Sequence, residues 1–333
     1  MSVERLRFGV LLPTQAPSDE QGVSAAFIDS VVQIAAHADA SGADAVFMLQ
    51  HFGSNMPTMQ PWPTLAWLAP QLSCRIGSCI GLLPTQNPLQ LAEEVATLDH
   101  LAPGRVILGV GAGYRQAELN AFGGTMQSRG ARMADGVRAL RALWAGEPAP
   151  ESRFWAVGGM TSGLLPRTPG GPPIWMGAQS RAAVERAGEL ADAWIAPGNS
   201  PHGQWLVRHL AIHESARLAH GRQPAEASPV LLEACISESA DARAAALSEL
   251  RAEYADYARY EALGWFRDRF DEMAPSFLFG DPERVAARVD ELASAGFNYL
   301  VIRPKWSRLA TADALETIDN LAAMVNSHNA GSG

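Results

Sequence analysis

The sequence predicts an α/β chain folded as a closed (β/α)8 barrel with insertions at its C-terminal mouth. Three observations predict it. About eight short apolar runs alternate with longer stretches of helical periodicity. A length of 333 residues suits one such domain. No linker or break in composition divides the chain. A doubly wound open sheet shares the alternation and stays the rival on pattern alone.

The first apolar run, 8–13, reads as a buried strand. Ile28, Val31, Val32, Ala35 and Ala38 then fall at helical spacing over 25–41, and Gly42 ends that helix. A strand over 43–49 leads into a Pro- and Met-rich loop, 51–63. A strand over 75–83, a helix over 88–101 and a strand over 105–109 follow. An irregular passage, 111–127, precedes a helix that ends near Trp144. Next come a strand over 174–177, a helix over 180–191, a strand over 193–196, a helix over 205–219 and a strand over 230–236. A helix over 283–294 stops at Gly296, and 299–303 supplies the last strand. Residues 239–279 exceed one crossover. Their charged helix and aromatic segment (Trp265, Phe266, Phe270, Phe277) read as an insertion, a lid or an oligomer contact. The barrel domain is expected over 1–328, with 329–333 a disordered tail.

Hydrophobic residues make up 47% of the chain and charged residues 18%, a globular balance. Lys and Arg number 26 against 35 Asp and Glu, and the net charge of −9 argues against a nucleic-acid partner. Cys74, Cys79 and Cys235 lack metal-ligand spacing, and an odd count argues against a disulfide framework. No metal is expected. No apolar run approaches the roughly 18 residues of a membrane helix, and 1–9 lacks a secretory apolar core. The expected location is the cytoplasm, with no membrane partner.

In a barrel of this kind chemistry sits on the loops after the strands' C-terminal ends. The second strand ends in Gln50, His51 and Phe52. A lone histidine is more often structural, but this one directly follows a strand. The third strand carries Cys79, on the plain reading a small buried hydrophobe. The fourth ends in Gly109, Gly111 and Gly113, followed by Tyr114, Arg115 and Glu118. Glycines there form either a tight turn or a close approach to a flat ring or phosphate. Their GxGxG spacing departs from the dinucleotide fingerprint. The fifth strand ends in Gly177, Ala178, Gln179 and Ser180, and a helix starts at once. That is either an ordinary capped helix or a phosphate cradle. P-loop, HExxH and GxSxG motifs are absent from the sequence, so hydrolytic and metal-dependent chemistry lack support.

Taken in order, these segments resemble the luciferase-like family of flavin enzymes. The resemblance is carried by Leu83-Pro84-Thr85, Pro88, Ala92-Glu93, Leu98-Asp99, Pro103-Gly104-Arg105, the glycine-rich strand end, Glu118 and Phe122-Gly123. Residues 172–194 and 280–303 add to it, and only 239–279 lacks it. It implies a β/α barrel, usually dimeric, holding FMN or coenzyme F420 at the mouth. It also implies a cis peptide at Cys79-Ile80 against the flavin, Gly111, Ala112 and Gly113 beside the ring, and Gly177, Ala178, Gln179 and Ser180 at the phosphate. His51 matches the histidine of an Asp-His-Phe motif in deazaflavin-dependent relatives. The acidic residue of that motif is Gln50 here. Luciferase's own catalytic histidine, reactive cysteine and phosphate-binding arginine fall on Gln50, Gly111 and Ala112. The resemblance is therefore to the family and not to luciferase itself.

The expected function is a two-component monooxygenase. Reduced FMN comes from a separate flavin reductase and, with dioxygen, oxygenates a small organic substrate. The lack of a nicotinamide fingerprint agrees with borrowed reducing power. His51 is the expected acid/base, with Gln50 and Glu118 as further candidates, and Met48, Met56, Met59, Trp62 and Trp67 as an apolar wall. A coenzyme F420-dependent reductase or dehydrogenase is the alternative, and a non-catalytic flavin-binding or partner subunit the third reading. A homodimer is expected.

Overall fold

The structure, a computed structural model, describes residues 5–17, 22–54, 56–199, 203–257, 269–306 and 308–331. Trp265 and Phe266 lie outside them. Eight parallel strands close the barrel: β1 (Arg7–Leu11), β2 (Ala45–Met48), β3 (Arg75–Leu82), β4 (Val106–Gly111), β5 (Ile174–Gly177), β6 (Ala193–Pro197), β7 (Pro229–Ile236) and β9 (Tyr299–Arg303). Each pairs with the next, β7 pairs with β9, and β9 returns to β1. Closure decides against the open sheet. The ninth strand, β8 (Leu278–Gly280), extends the far end of β7 outside the ring and is an addition to the sequence reading.

Helices α1 (Ala25–Ala40), α2 (Pro61–Leu68), α3 (Pro88–Leu101), α4 (Gln116–Ala121), α5 (Arg129–Trp144), α6 (Arg181–Leu190), α7 (Gly203–Ala219), α8 (Ala240–Tyr257), α9 (Phe270–Met273), α10 (Pro282–Ser294) and α11 (Thr311–Gly331) follow the strands. Their starts are chemically marked. Ser24, Asn87, Ser180 and Asp281 each accept an N–H of the first turn, which satisfies a donor the helix cannot. The short helix α4 lies inside the passage expected to be irregular. Residues 329–331 of the expected tail are helical instead. That helix runs to Gly331, and Asn329 both accepts from the Leu6 N–H and donates to the Leu6 carbonyl, each at 2.9 Å.

Period-two alternation sorts the strand side chains into two cores. One face, with Val10, Val46, Ile76, Leu108, Ile174 and Ile302, packs under the helices. The other fills the barrel with Leu11, Phe47, Ile107, Trp175, Ile195, Tyr299 and Val301. Phe47, Trp175 and Tyr299 meet tilted or edge-on with centroids 5.0–6.5 Å apart and plug the interior below the mouth.

At β3–β4 the pairing is too close for side chains. A Cβ on Gly77 would strike the Ile107 carbonyl, and one on Gly109 the Ser78 carbonyl. Ser78 donates to the Gly109 carbonyl at 2.7 Å in the same contact. Gly109→Ala is therefore expected to lower stability by roughly 1–3 kcal/mol through a backbone clash. Gly163→Ala, in open space, is expected to stay within about 0.5 kcal/mol. Urea unfolding of both variants checks this, and equal midpoints would remove the close-approach argument.

Candidate active site at the barrel mouth

The register of β3 against β4 slips between Ser78 and Gly81, so an extra residue of β3 bulges out. The Cys79–Ile80 peptide within it is cis, as the resemblance implied. Because of the bulge, Cys79 and its neighbour Ile80 both turn toward the barrel interior. The Ile80 side chain then lies over the ends of β4 and β5. A Cβ on Gly111 would collide with it, and one on Gly177 would come within 3.1 Å. Ile80, Gly111 and Gly177 thus form an apolar floor at the C-terminal ends of three adjacent strands.

The next rim residues, Gln50 and His51, are both buried and serve different ends. The Gln50 backbone N–H donates to the Ile80 carbonyl at 3.1 Å. Its side-chain carbonyl accepts from the Leu82 N–H at 2.9 Å and from Gln86 at 3.0 Å. Gln86 in turn accepts from the Trp62 indole at 3.1 Å. Gln60 donates to the His51 carbonyl at 2.9 Å. Gln50 is therefore the clasp of the bulge, not a group aimed at solvent.

His51 is held at both ring nitrogens. Nδ1 lies 3.2 and 3.3 Å from the two Glu118 oxygens, and Nε2 lies 2.9 Å from the Tyr114 hydroxyl. The Tyr114 ring stands edge-on to the imidazole at 70°. Glu118, on the first turn of α4, also accepts the Phe52 N–H at 2.5 Å and pairs with Arg115 at 3.9 Å. Arg115 donates to the Phe52 and Gly53 carbonyls at 3.2 and 3.0 Å. The loop after β2 and the loop after β4 are thereby locked together through one carboxylate. His51 and Glu118 are site residues the sequence predicts, whereas Tyr114 and Arg115 are not. Tyr114 and Glu118 stand four residues apart at a strand end, and that spacing was the available signal.

Other expected residues separate. Ala112 and Gly113 continue the β4 rim, with the Gly113 carbonyl taken by Arg129 at 2.7 Å. Ala178 is buried, its carbonyl accepting from Trp194 at 2.9 Å, whereas Gln179 and Ser180 are exposed at the start of α6. Two members of the expected wall of methionines and tryptophans, Met48 and Trp67, lie elsewhere. Met48 points outward from β2 into the core beneath the helices, because alternation puts it opposite Phe47. Trp67 is half-exposed on α2.

Across the mouth, Arg303 at the end of β9 pairs with Glu233 of β7 at 2.9 Å and with Glu253 of α8 at 2.7 Å. Trp306 and Tyr254 both donate to Glu233, at 2.6 and 2.9 Å. Burial and the Glu233 carboxylate push the Tyr254 phenol well above its ordinary range. Burial holds the neighbouring Lys305 ammonium below its own. Part of 239–279 thus reaches the mouth through α8. The described residues hold no metal-binding group of three or more His, Cys, Asp or Glu, and no helix among them is long and apolar enough to cross a membrane.

Fold and rim together describe a closed β/α barrel with a glycine-lined floor and a buried Tyr–His–Glu chain at its C-terminal mouth. The family profile described as luciferase-like monooxygenase matches residues 6–299, and the chain belongs to that family. It is 28% identical over 187 residues to the oxygenase component of the flavin-dependent trigonelline monooxygenase of Acinetobacter baylyi, covering 55% of this chain and 51% of that one. It is 29% identical over 206 residues to the F420-dependent glucose-6-phosphate dehydrogenase of Nakamurella multipartita, covering 59% and 57%. The chain thus spans about half the length of the curated relatives it matches. The crystal structure of the monooxygenase RslO1 from Streptomyces bottropensis shares the fold, with a TM-score of 0.84 at 22% identity over 97% of this chain and 99% of that one.

All three cysteines are free and buried. Burial pushes the Cys79 thiol up to about 12 and, with Asp39 nearby, Cys74 to about 12. Burial with Asp313 and Glu316 nearby pushes Cys235 to about 11. A thiol reacts as its thiolate. Iodoacetamide near pH 8 is expected to leave all three unmodified in the native protein and to alkylate all three in urea. Mass spectrometry checks this, and rapid native alkylation of Cys79 would reopen a covalent role.

Proposed function

We propose that this chain is the oxygenase of a two-component monooxygenase, using reduced FMN from a separate flavin reductase and dioxygen to oxygenate a small organic substrate. The observation that carries the reading is the meeting of the Ile80, Gly111 and Gly177 floor with the Tyr114–His51–Glu118 chain on one rim. The floor suits an isoalloxazine ring: it is apolar, and the glycines let the Ile80 side chain lie down across the ends of β4 and β5. Ile80, Gly111, Ala112 and Gly113 would hold the ring, with Cys79 beneath. Gly177, Ala178, Gln179 and Ser180 lead into the N-terminus of α6, where free N–H groups suit a phosphate. FMN when bound would supply the two electrons that activate dioxygen. The chain's own work is to exclude water, through the Phe47–Trp175–Tyr299 plug below, and to hold a proton at His51. Gln50 serves by fixing the floor. The reading carries with it a homodimer in the cytoplasm, with 239–279 an insertion or lid of the barrel domain.

The second reading is hydride transfer with coenzyme F420. The buried His51–Glu118 pair favours it, since a pair of this kind also suits proton exchange with an alcohol or carbonyl.

Anaerobic titration with oxidised FMN, reduced FMN and coenzyme F420 separates the two. Reduced FMN is expected to bind at least about tenfold more tightly than the others, a difference of about 1.4 kcal/mol. Preferential binding of F420 would overturn the monooxygenase and favour the second reading. Gly111→Ala is expected to weaken reduced-FMN binding by about tenfold or more, because its methyl drives Ile80 into the ring's place. His51→Ala is expected to lower turnover by about 100-fold or more. Unchanged turnover would remove His51 from the chemistry.

A further inference from the structure

We infer that Tyr114, and not His51, is the residue that hands the proton to the reacting oxygen, with His51 acting as the relay behind it. The inference rests on the flavin-dependent reading above and deepens it.

The geometry of the imidazole carries the argument. Both His51 nitrogens are engaged inside the protein, Nδ1 with Glu118 and Nε2 with the Tyr114 hydroxyl at 2.9 Å. The ring is only 7% exposed, and Glu118 only 4%. For His51 to touch a substrate it would have to give up one of those bonds. Tyr114 is the half-buried member of the chain and stands on the loop after β4, two residues from the barrel rim at Ala112. A proton leaving the chain toward the mouth passes through its phenol.

Glu118 sets the direction. Its carboxylate lies against Nδ1, so the neutral imidazole carries its hydrogen there and leaves Nε2 as an acceptor for the Tyr114 hydroxyl. When His51 gains a second proton, Nε2 becomes the donor, and the Tyr114 hydrogen is released to point at another acceptor. One protonation event thus turns the phenol from facing inward to facing the mouth. Two arginines stand by the chain among the contacts of the described residues. Arg115 pairs with Glu118 from the start of α4, and Arg129 of α5 binds the Gly113 carbonyl. The β3 side contributes the neutral amides Gln50 and Gln86.

The chemistry needs such a route. Substrate, dioxygen, the reduced FMN anion and one proton give oxygenated substrate, water and oxidised FMN. The O–O bond breaks, one oxygen goes to the substrate, and the other leaves as water. The two electrons come from reduced FMN. The added proton passes from Tyr114 Oη to the departing oxygen, Oη recovers it from His51 Nε2, and solvent at the mouth later returns a proton to His51 through the same phenol.

The test places 3,5-difluorotyrosine at position 114, which makes the phenol more acidic with little change in shape. In the protein without cofactor, phenolate absorbance is followed against pH with His51 intact and in a His51→Phe background. The midpoint is expected to differ between the two, and identical titrations would show that the phenol and imidazole share no proton. In protein loaded with reduced FMN, hydrogen peroxide formation on admitting dioxygen serves as the probe, since it needs a proton and no substrate. Its alkaline limb is expected to move down by about one pH unit or more on fluorination, and Tyr114→Phe is expected to slow it by about 100-fold with reduced-FMN affinity unchanged. An unmoved limb, or a Tyr114→Phe rate within about twofold of the parent, overturns the role of Tyr114 while leaving the flavin reading intact. Failure of the unaltered protein to bind reduced FMN sinks that reading and this step with it.

Discussion

The mouth of this barrel depends on one steric fit, the Ile80 side chain lying where Cβ atoms at Gly111 and Gly177 would otherwise be. Three adjacent strands converge there only because β3 bulges at Cys79–Ile80 and β4 and β5 end in glycine. A regular β3 would send Ile80 outward among the helices, as alternation sends Ile76 and Leu108. The bulge therefore converts a core position into a floor. Gln50 keeps it in place, bonding the strand on both sides of the bulge, at Ile80 and Leu82.

Two neighbours in sequence divide the work at the second strand's end. Gln50 faces β3 and serves the backbone, while His51 turns toward α4 and is held between Glu118 and Tyr114. The division follows from charge. An amide can accept from Leu82 and Gln86 at once, and it adds no charge beside the apolar floor. The carboxylate of the site, Glu118, comes from a different loop, where Arg115 and the Phe52 N–H compensate it. Across the mouth, Glu233, Arg303 and Glu253 repeat the pattern of ionised groups paired with one another. Buried charge of this kind persists only when paired and hydrogen-bonded.

Much of this was legible from the chain. Eight apolar runs at barrel spacing became the eight strands of the ring, because period-two burial on both faces leaves a continuous apolar signature. The Leu-Pro-Thr, Leu-Asp and glycine-rich segments led to the family. His51 and Glu118 stood out as polar residues at strand ends. What the chain did not disclose was direction: Met48 and Trp67 matched an apolar wall in composition but face elsewhere, and Asn329 read as tail while clasping Leu6.

The sequence by itself determined the order of strands and helices, the family and the two rim segments that carry polar groups, since strand and helix periodicity and glycine placement are local properties, while closure of the ring was settled by strand pairing. Only the tertiary structure decided which of those groups meet. Tyr114, His51 and Glu118 come from loops 63 to 67 residues apart in the chain. Their contact depends on the closing of the barrel, on the β3 bulge and on the turn that starts α4. Each of these is set by packing between strands, and a linear pattern records none of it.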